Sequence, residues 1–71
     1  MRNIKLREQD EYIKLGQAMK AVALVSSGVE AKEFIQSGLV KVNQEVELRR
    51  GRKLYNGDIF TFEGEEVKIE K

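Results

Sequence analysis

The spacing of apolar residues changes along the chain. Over residues 3–7 apolar side chains alternate with cations, which predicts a short N-terminal strand. Residues 12–24 instead follow helical spacing, with apolar side chains on one side of the predicted helix. Those side chains are Leu15, Met19, Val22 and Ala23. The first third of the chain is therefore predicted to form a strand and then a helix.

A second helix is predicted to begin at Ser27, where the sequence fits a capping box. The Ser27 side chain would accept the backbone N–H of Glu30, and the Glu30 carboxylate would accept that of Ser27. Gly38 stands where a left-handed C-terminal cap is expected. Between these ends runs an apolar stripe formed by Ala31, Phe34 and Ile35. Two short helices with a tight connection predict a compact helical pair.

After the second helix, apolar residues again recur at every second position, which indicates strands. Residues 39–43 predict a strand with Val40 and Val42 inward, and a turn at 43–45 leads into a return strand that includes Val46 and Leu48. Following a turn at Asn56-Gly57, residues 59–63 and 66–70 predict a hairpin around Gly64-Glu65. The predicted fold class is α+β, with a short N-terminal strand, a two-helix pair and a small, mostly antiparallel sheet. One domain, residues 1–71, accounts for the whole pattern.

Composition narrows the chemistry that the chain can carry. It contains no Cys and no His, which excludes the usual zinc ligand sets and the thiol and imidazole nucleophiles. Its C-terminal acids fall in a predicted solvent-facing hairpin, and there is no Gly-rich nucleotide-binding loop. We therefore expect no enzyme activity, no cofactor and no small-molecule substrate. Without an apolar run of about 20 residues or a signal-peptide pattern, we expect a cytoplasmic protein with no membrane partner.

The net charge of +1 conceals an uneven distribution. Residues 14–53 hold eight basic and four acidic side chains, whereas residues 54–71 hold two basic and five acidic ones. The densest basic cluster is Arg49-Arg50-Gly51-Arg52-Lys53. Such asymmetry indicates a polyanion-binding face, although a solvated loop that is basic by chance would show the same charges.

Four segments, in order and at matching spacing, resemble one known family. They read Ser27-Gly28-Val29-Glu30-Ala31-Lys32, then Ile35, then Gly38-Leu39-Val40-Lys41-Val42-Asn43, then Lys53-Leu54-Tyr55-Asn56-Gly57-Asp58. This order resembles the RNA-binding domain of small-subunit ribosomal protein four, the S4 domain or alpha-L motif. Within that family the chain is most similar to stand-alone bacterial members of the YaaA/YbcJ type. The resemblance implies the alpha-L fold and non-enzymatic binding of structured RNA, with ribosomal RNA the expected partner in ribosome assembly or translation.

The resemblance and the charge distribution together indicate a binding surface between residues 26 and 53. We expect its cations to converge on one ridge that reads RNA shape. Ser27 is expected to act mainly as a cap and Asn43 mainly in a turn, and Tyr55 is the aromatic residue best placed to stack on a base. The predicted RNA-binding residues are Lys14, Lys20, Ser27, Lys32, Lys41, Asn43, Arg49, Arg50, Arg52 and Lys53.

Two positions depart from the family pattern. Many members carry Arg where this chain has Gly28, and Arg-Leu-Asp where it has Lys14-Leu15-Gly16. The basic cluster 49–53 is hypothesised to compensate for the lost phosphate contacts. A different class of function stays open, in which the acidic C-terminal hairpin docks a ribosomal or other basic protein.

Overall fold

The computed structural model describes residues 1–71 and contains two helices and seven strands. The helices are α1 (Leu15–Ala21) and α2 (Gly28–Gln36). The strands are β1 (Arg2–Lys5), β2 (Ile13–Lys14), β3 (Val40–Val42), β4 (Glu45–Val46), β5 (Lys53–Leu54), β6 (Ile59–Phe62) and β7 (Glu65–Glu70). Neither helix is long and apolar enough to cross a membrane.

Five strands form one sheet in the order β1-β7-β6-β3-β4. Every neighbouring pair is antiparallel except β1 and β7, which run parallel. The remaining strands, β2 and β5, pair separately as a short antiparallel ribbon beside α1. The architecture confirms the predicted α+β class, its short N-terminal strand and its helical pair.

One face of the sheet packs against the two helices. Alternation along the strands turns apolar side chains inward and polar ones to solvent, as the period of two predicts. The buried sheet side chains are Val40, Val42, Phe60, Phe62, Val67 and Ile69, and those of the helices are Leu15, Ala18, Met19, Ala31 and Ile35. Burying a large apolar side chain contributes roughly 1.5–3 kcal/mol, so this layer is the main source of stability.

Both helices end in a Schellman motif, and one of these endings differs from the prediction. At the end of α2, Gly38 adopts the predicted left-handed conformation at φ +80. Helix α1 stops at Ala21 rather than at Leu24, because Ala23 adopts a left-handed conformation at φ +59. The Ala23 side chain is exposed to solvent. The Leu24 N–H then donates to the Met19 carbonyl at 3.0 Å, which closes the motif. An Ala in this conformation carries no recognisable sequence signal.

Strands β2 and β5 are absent from the prediction, which assigned residues 12–14 to the first helix, and they form because the two segments pair with each other. The boundaries of the predicted strands shift by small amounts. The last hairpin turns at Glu63-Gly64, one residue before the predicted position, because both residues adopt positive φ. Strand β1 likewise spans Arg2–Lys5 rather than residues 3–7. The return strand β4 ends at Val46, so Leu48 lies beyond it and is exposed. Glu47 keeps one backbone bond to the sheet, from its N–H to the Val40 carbonyl at 3.0 Å, and its side chain is buried.

Candidate nucleic-acid interface

The ribbon of β2 and β5 presents aromatic and basic side chains together. Ile13 pairs with Leu54 on the side that faces the core. The solvent face therefore carries Tyr12, Lys14, Lys53 and Tyr55. The rings of Tyr12 and Tyr55 lie 5.7 Å apart between centroids, and the Lys53 Nζ lies 4.9 Å from the centroid of the Tyr12 ring. This contact is a cation–π interaction that holds the Lys53 ammonium group over the ring.

Residues 47–52, which we call the arginine loop, connect β4 to β5 and rest on the first turn of α1. Helix α1 has no side-chain N-cap at Lys14. The N–H of Leu15 donates instead to the Arg52 carbonyl at 2.8 Å, and that of Gly16 donates to the Arg50 carbonyl at 3.1 Å. The backbone of the arginine loop thus satisfies donors that a capping side chain would otherwise satisfy, which fixes the loop against the helix.

The buried carboxylate of Glu47 organises the arginine loop from within. Only 7% of Glu47 is exposed. Its oxygens accept the Arg49 backbone N–H at 3.0 Å, the Arg49 guanidinium at 2.9 and 3.2 Å, and the Arg52 guanidinium at 2.7 Å. These bonds, the Arg49 side-chain bond foremost, lower the pKa of Glu47 from its ordinary 4.5 to about 2. Charge-assisted bonds to a buried acceptor make the loop rigid rather than mobile.

Arg50 is oriented by a glycine rather than by an acid. A Cβ added to Gly16 would lie 2.6 Å from the Arg50 Cγ, so only glycine lets the Arg50 stem cross α1 at this point. Beside it is a cavity of about 350 Å³, which we call the cation cavity. No apolar or acidic residue lines it. Its lining residues are Lys14, Gly16, Gln17, Lys20, Gly28, Arg50 and Gly51.

A second cavity adjoins the first at Gly51, and we call it the tyrosine cavity. Its volume is about 500 Å³. It is lined by Arg49, Gly51, Arg52, Lys53 and Tyr55. Tyr55 is 46% exposed and is the only aromatic residue in this lining. The cation cavity and the tyrosine cavity are therefore neighbouring recesses that meet at Gly51 of the arginine loop.

A larger groove between β1 and α1 differs in charge from both of these cavities. Its volume is about 980 Å³, and its lining includes the acids Asp10 and Glu11. Asp10 also binds Arg7, with 2.8 Å between the carboxylate and Nε. These two acids share the groove with cations, among them Lys14 and Lys20 of the cation cavity, so an anion bound in the groove would meet carboxylates that the cation cavity lacks. No group of three or more acidic side chains comes together to hold a metal ion.

Side chains at the start of α2 bond backbone N–H groups of the same segment, and one of these bonds differs from the prediction. The Ser27 hydroxyl accepts the Glu30 N–H at 3.1 Å, as the capping box predicts. The Glu30 carboxylate accepts the N–H of Ser26 at 3.0 Å, whereas the prediction named Ser27. The predicted role of Ser27 as a cap is confirmed, and its contact with RNA stays a prediction. With Glu30 in the first turn, the helix start attracts anions less than an uncapped terminus would.

The predicted ridge of cations is wrong at Lys41. Lys32 is exposed on α2 one turn beyond Gly28, on the side of the cation cavity. Lys41, by contrast, lies between the buried Val40 and Val42 and therefore points away from the helices, across the sheet from α1. Strand alternation places it in the row of Val46 and Thr61, on the open face of the sheet.

Asn43 joins the turn after β3 to the start of β6. Its Oδ1 accepts the Ile59 N–H at 3.0 Å, and its Nδ2 donates to Asp58 at 3.1 Å. The other oxygen of Asp58 accepts the Tyr55 N–H at 2.7 Å. The turn role of Asn43 agrees with the prediction, and its amide is engaged within the protein. Its contact with RNA stays a prediction without geometric support.

Glu47 is a residue of this surface that the sequence did not indicate. In a regular strand, the apolar Val46 and Leu48 would face the core and Glu47 between them would face solvent. The structure has the reverse, since Glu47 is buried and both neighbours are more than half exposed. The available signal was an acid two residues before Arg49, in the same segment as Arg50 and Arg52. Two of these predicted RNA ligands, Arg49 and Arg52, are already paired with that acid.

Comparison with known proteins agrees with the fold. The sequence profile of the S4 domain family matches residues 4–70. RlbA of Bacillus subtilis (strain 168), described as a probable ribosome maturation protein, is 48% identical over 54 residues, which are 76% of either chain. YbcJ from E. coli, whose solution structure is described as revealing an alpha-L motif involved in RNA binding, is 30% identical with a TM-score of 0.73. That match covers 100% of this chain and 89% of YbcJ, and it confirms the predicted alpha-L fold.

Proposed function

The chain belongs to the S4 domain family, and from this membership we propose that it binds structured ribosomal RNA, without catalysis, during ribosome maturation. The observation that supports the proposal most directly is the cation cavity. Three cations, Lys14, Lys20 and Arg50, converge on a recess whose other lining residues are uncharged. Such a recess fits a phosphate group, because nothing in its lining repels an anion.

The remaining cations widen this surface. Lys53 stands beside Lys14 on the ribbon, and Lys32 follows Gly28 along α2. Arg49 and Arg52 contribute less free charge than the sequence suggested, because Glu47 compensates part of it. RNA would thus meet a ridge made of α1, the start of α2, the arginine loop and the ribbon, and would be read by shape and phosphate spacing.

The ribosomal part of the proposal rests on relatives. RlbA is described as a probable ribosome maturation protein, and YbcJ as carrying an RNA-binding motif. Both come from bacteria, and the same role here would place the protein in the cytoplasm with the ribosomes. The alternative, in which the acidic hairpin around Gly64 docks a basic protein, has no comparable cavity to support it and serves as an outcome of the test.

The proposal is tested by comparing two double variants. In one, Lys14 and Arg50 are replaced by Ala, and in the matched control Lys41 and Lys68 are replaced. The control lysines lie on the open face of the sheet, away from the cation cavity. Affinity for a labelled ribosomal RNA stem–loop is measured by fluorescence anisotropy over a range of salt. With about four phosphate contacts, log K should fall against log salt with a slope near −3.

We expect the Lys14/Arg50 variant to bind more weakly and with a slope reduced by about 1–2, since each lost contact removes roughly 0.7–0.9. The Lys41/Lys68 variant should retain the slope of the unmodified protein. Equal losses in the two variants would show that only overall charge matters, which contradicts the proposed surface. Recovery of basic proteins but no RNA after crosslinking in cells would favour the docking alternative.

A further inference from the structure

The tyrosine cavity has a composition that phosphate binding does not explain. Tyr55 forms its aromatic wall and is 46% exposed. Arg49 and Arg52 share its lining, and Gly51 leaves the recess unobstructed, since a Cβ added there would meet nothing within 4 Å. A purely phosphate-binding recess needs cations but no aromatic wall. The cation cavity, which shares Gly51 with the tyrosine cavity, is lined by cations and has no aromatic residue.

The two arginines present flat surfaces to this cavity. Glu47 occupies the N–H edges of both guanidinium groups through bonds of 2.7–3.2 Å. A guanidinium that is held by its edge keeps its planar faces, and these faces stack on aromatic rings and bases. Arg49 is 73% exposed in its side chain, so one face is open to a ligand. Glu47 thus fixes two planar groups in the same lining that holds Tyr55.

Tyr55 is supported from one side by Tyr12, its neighbour across the ribbon. Its ring contacts Tyr12 at 5.7 Å between centroids, with an interplanar angle of 53°. Lys53 lies over the Tyr12 ring, and the Asp58 carboxylate accepts the Tyr55 N–H. The backbone and the ring of Tyr55 are therefore both fixed before any ligand arrives. A ring fixed in advance loses little conformational entropy when it stacks, which favours binding.

From this geometry we infer that the tyrosine cavity is a slot for one unpaired nucleobase, stacked between Tyr55 and the arginine faces. Its volume of about 500 Å³ lies within the range of roughly 300–1,000 Å³ that is usual for small-molecule sites. The inference rests on the proposed function and specifies its ligand. A phosphate in the cation cavity and the base of a neighbouring nucleotide in the slot would flank Gly51.

The consequence is a preference among RNAs. Bases inside a continuous duplex are stacked on each other and cannot enter the slot, whereas a bulged base can be splayed out. Base–aromatic stacking contributes about 5- to 150-fold in affinity for each base. A hairpin that carries one bulged adenosine should therefore bind at least about fivefold more tightly than the same hairpin without the bulge.

The test measures both hairpins by anisotropy, with the unmodified protein, Tyr55→Leu and Tyr55→Phe. We expect the bulge preference to disappear in Tyr55→Leu and to remain in Tyr55→Phe, which keeps the ring. A direct readout in the unmodified protein uses 2-aminopurine at the bulge, since its fluorescence should be quenched on stacking. Circular dichroism checks that each variant is folded.

Different failures have different meanings. If both hairpins bind equally and the 2-aminopurine signal is unchanged, RNA binding stands and the base slot is refuted. A bulge preference that survives in Tyr55→Leu also refutes the slot, because the base then enters elsewhere. If the unmodified protein binds neither hairpin, the proposed function itself fails, and the slot fails with it.

Discussion

Replacing Glu47 with Gln should destabilise the protein in a manner that depends on pH. The substitution keeps the shape of the side chain and removes the charge that Arg49 and Arg52 contact. A pKa lowered from 4.5 to about 2 corresponds to about 3 kcal/mol of stabilisation at neutral pH. Because the Arg49 side chain is 73% exposed, water screens part of this interaction, and we expect a loss of about 2 kcal/mol.

The sign of the pH dependence follows from the direction of the pKa shift. The folded state holds the pKa of Glu47 below its unfolded value, so the stabilisation is complete above about pH 4.5 and is lost as the pH falls toward 2. The difference in unfolding free energy between the unmodified protein and Glu47→Gln should therefore shrink from about 2 kcal/mol at neutral pH to near zero toward about pH 2.

Urea unfolding followed by circular dichroism at several pH values measures this difference. The matched control is Glu45→Gln, two residues earlier, where the side chain is exposed and lies in the same strand–loop segment. That control should change the unfolding free energy by no more than about 0.5 kcal/mol. A Glu47→Gln protein that is as stable as the unmodified one at neutral pH, or a difference that does not shrink in acid, would refute the argument.

Three further substitutions examine the backbone and the turns. Gly16→Ala should weaken RNA binding and lower stability by about 1 kcal/mol, because the new Cβ displaces the stem of Arg50 and this overpacking outweighs the gain in helix propensity. Asn43→Ala should lower the unfolding free energy by about 1–2 kcal/mol while RNA affinity, measured where the variant is folded, changes less than about twofold. Ala23→Gly should raise the thermal midpoint, since glycine relieves about 1 kcal/mol of left-handed strain, whereas Ala21→Gly should lower it.

Each of these three has a result that contradicts it. Gly28→Ala serves as the stability control for Gly16, because its Cβ would meet nothing within 4 Å, and an equal loss of stability in the two variants would remove the argument from Arg50. For Asn43, a large loss of RNA affinity in a folded variant would restore the predicted RNA contact. For Ala23, an unchanged or lower midpoint would show that the Schellman ending of α1 tolerates Ala without strain.

The sequence alone was sufficient for the fold class because the period of its apolar residues is a local property. Alternation identified the strands around Val40 and Phe60, and helical spacing with a capping signal at Ser27 identified α2. Such features depend on residues that keep their roles wherever the rest of the chain lies.

The tertiary structure decided which cations act together. In the sequence, Arg49, Arg50 and Arg52 are equivalent members of one basic cluster. In the folded chain, Glu47 binds the first and third, while Gly16 gives Arg50 a path toward the cation cavity. The spacing of apolar residues and the number of charged residues carry no information on such pairing, because the pairing depends on how the arginine loop packs against α1.

The sequence therefore predicts one continuous basic segment between residues 26 and 53, whereas the cations that converge in the folded chain come partly from outside that segment. Lys41 falls on the opposite face of the sheet, whereas Lys14 and Lys20, which precede the segment, line the cation cavity. Strand alternation sends Lys41 away from the helices, and packing of the ribbon against α1 brings the earlier lysines in. Sequence determined the local period and the supply of charge, and only packing determined where those charges meet.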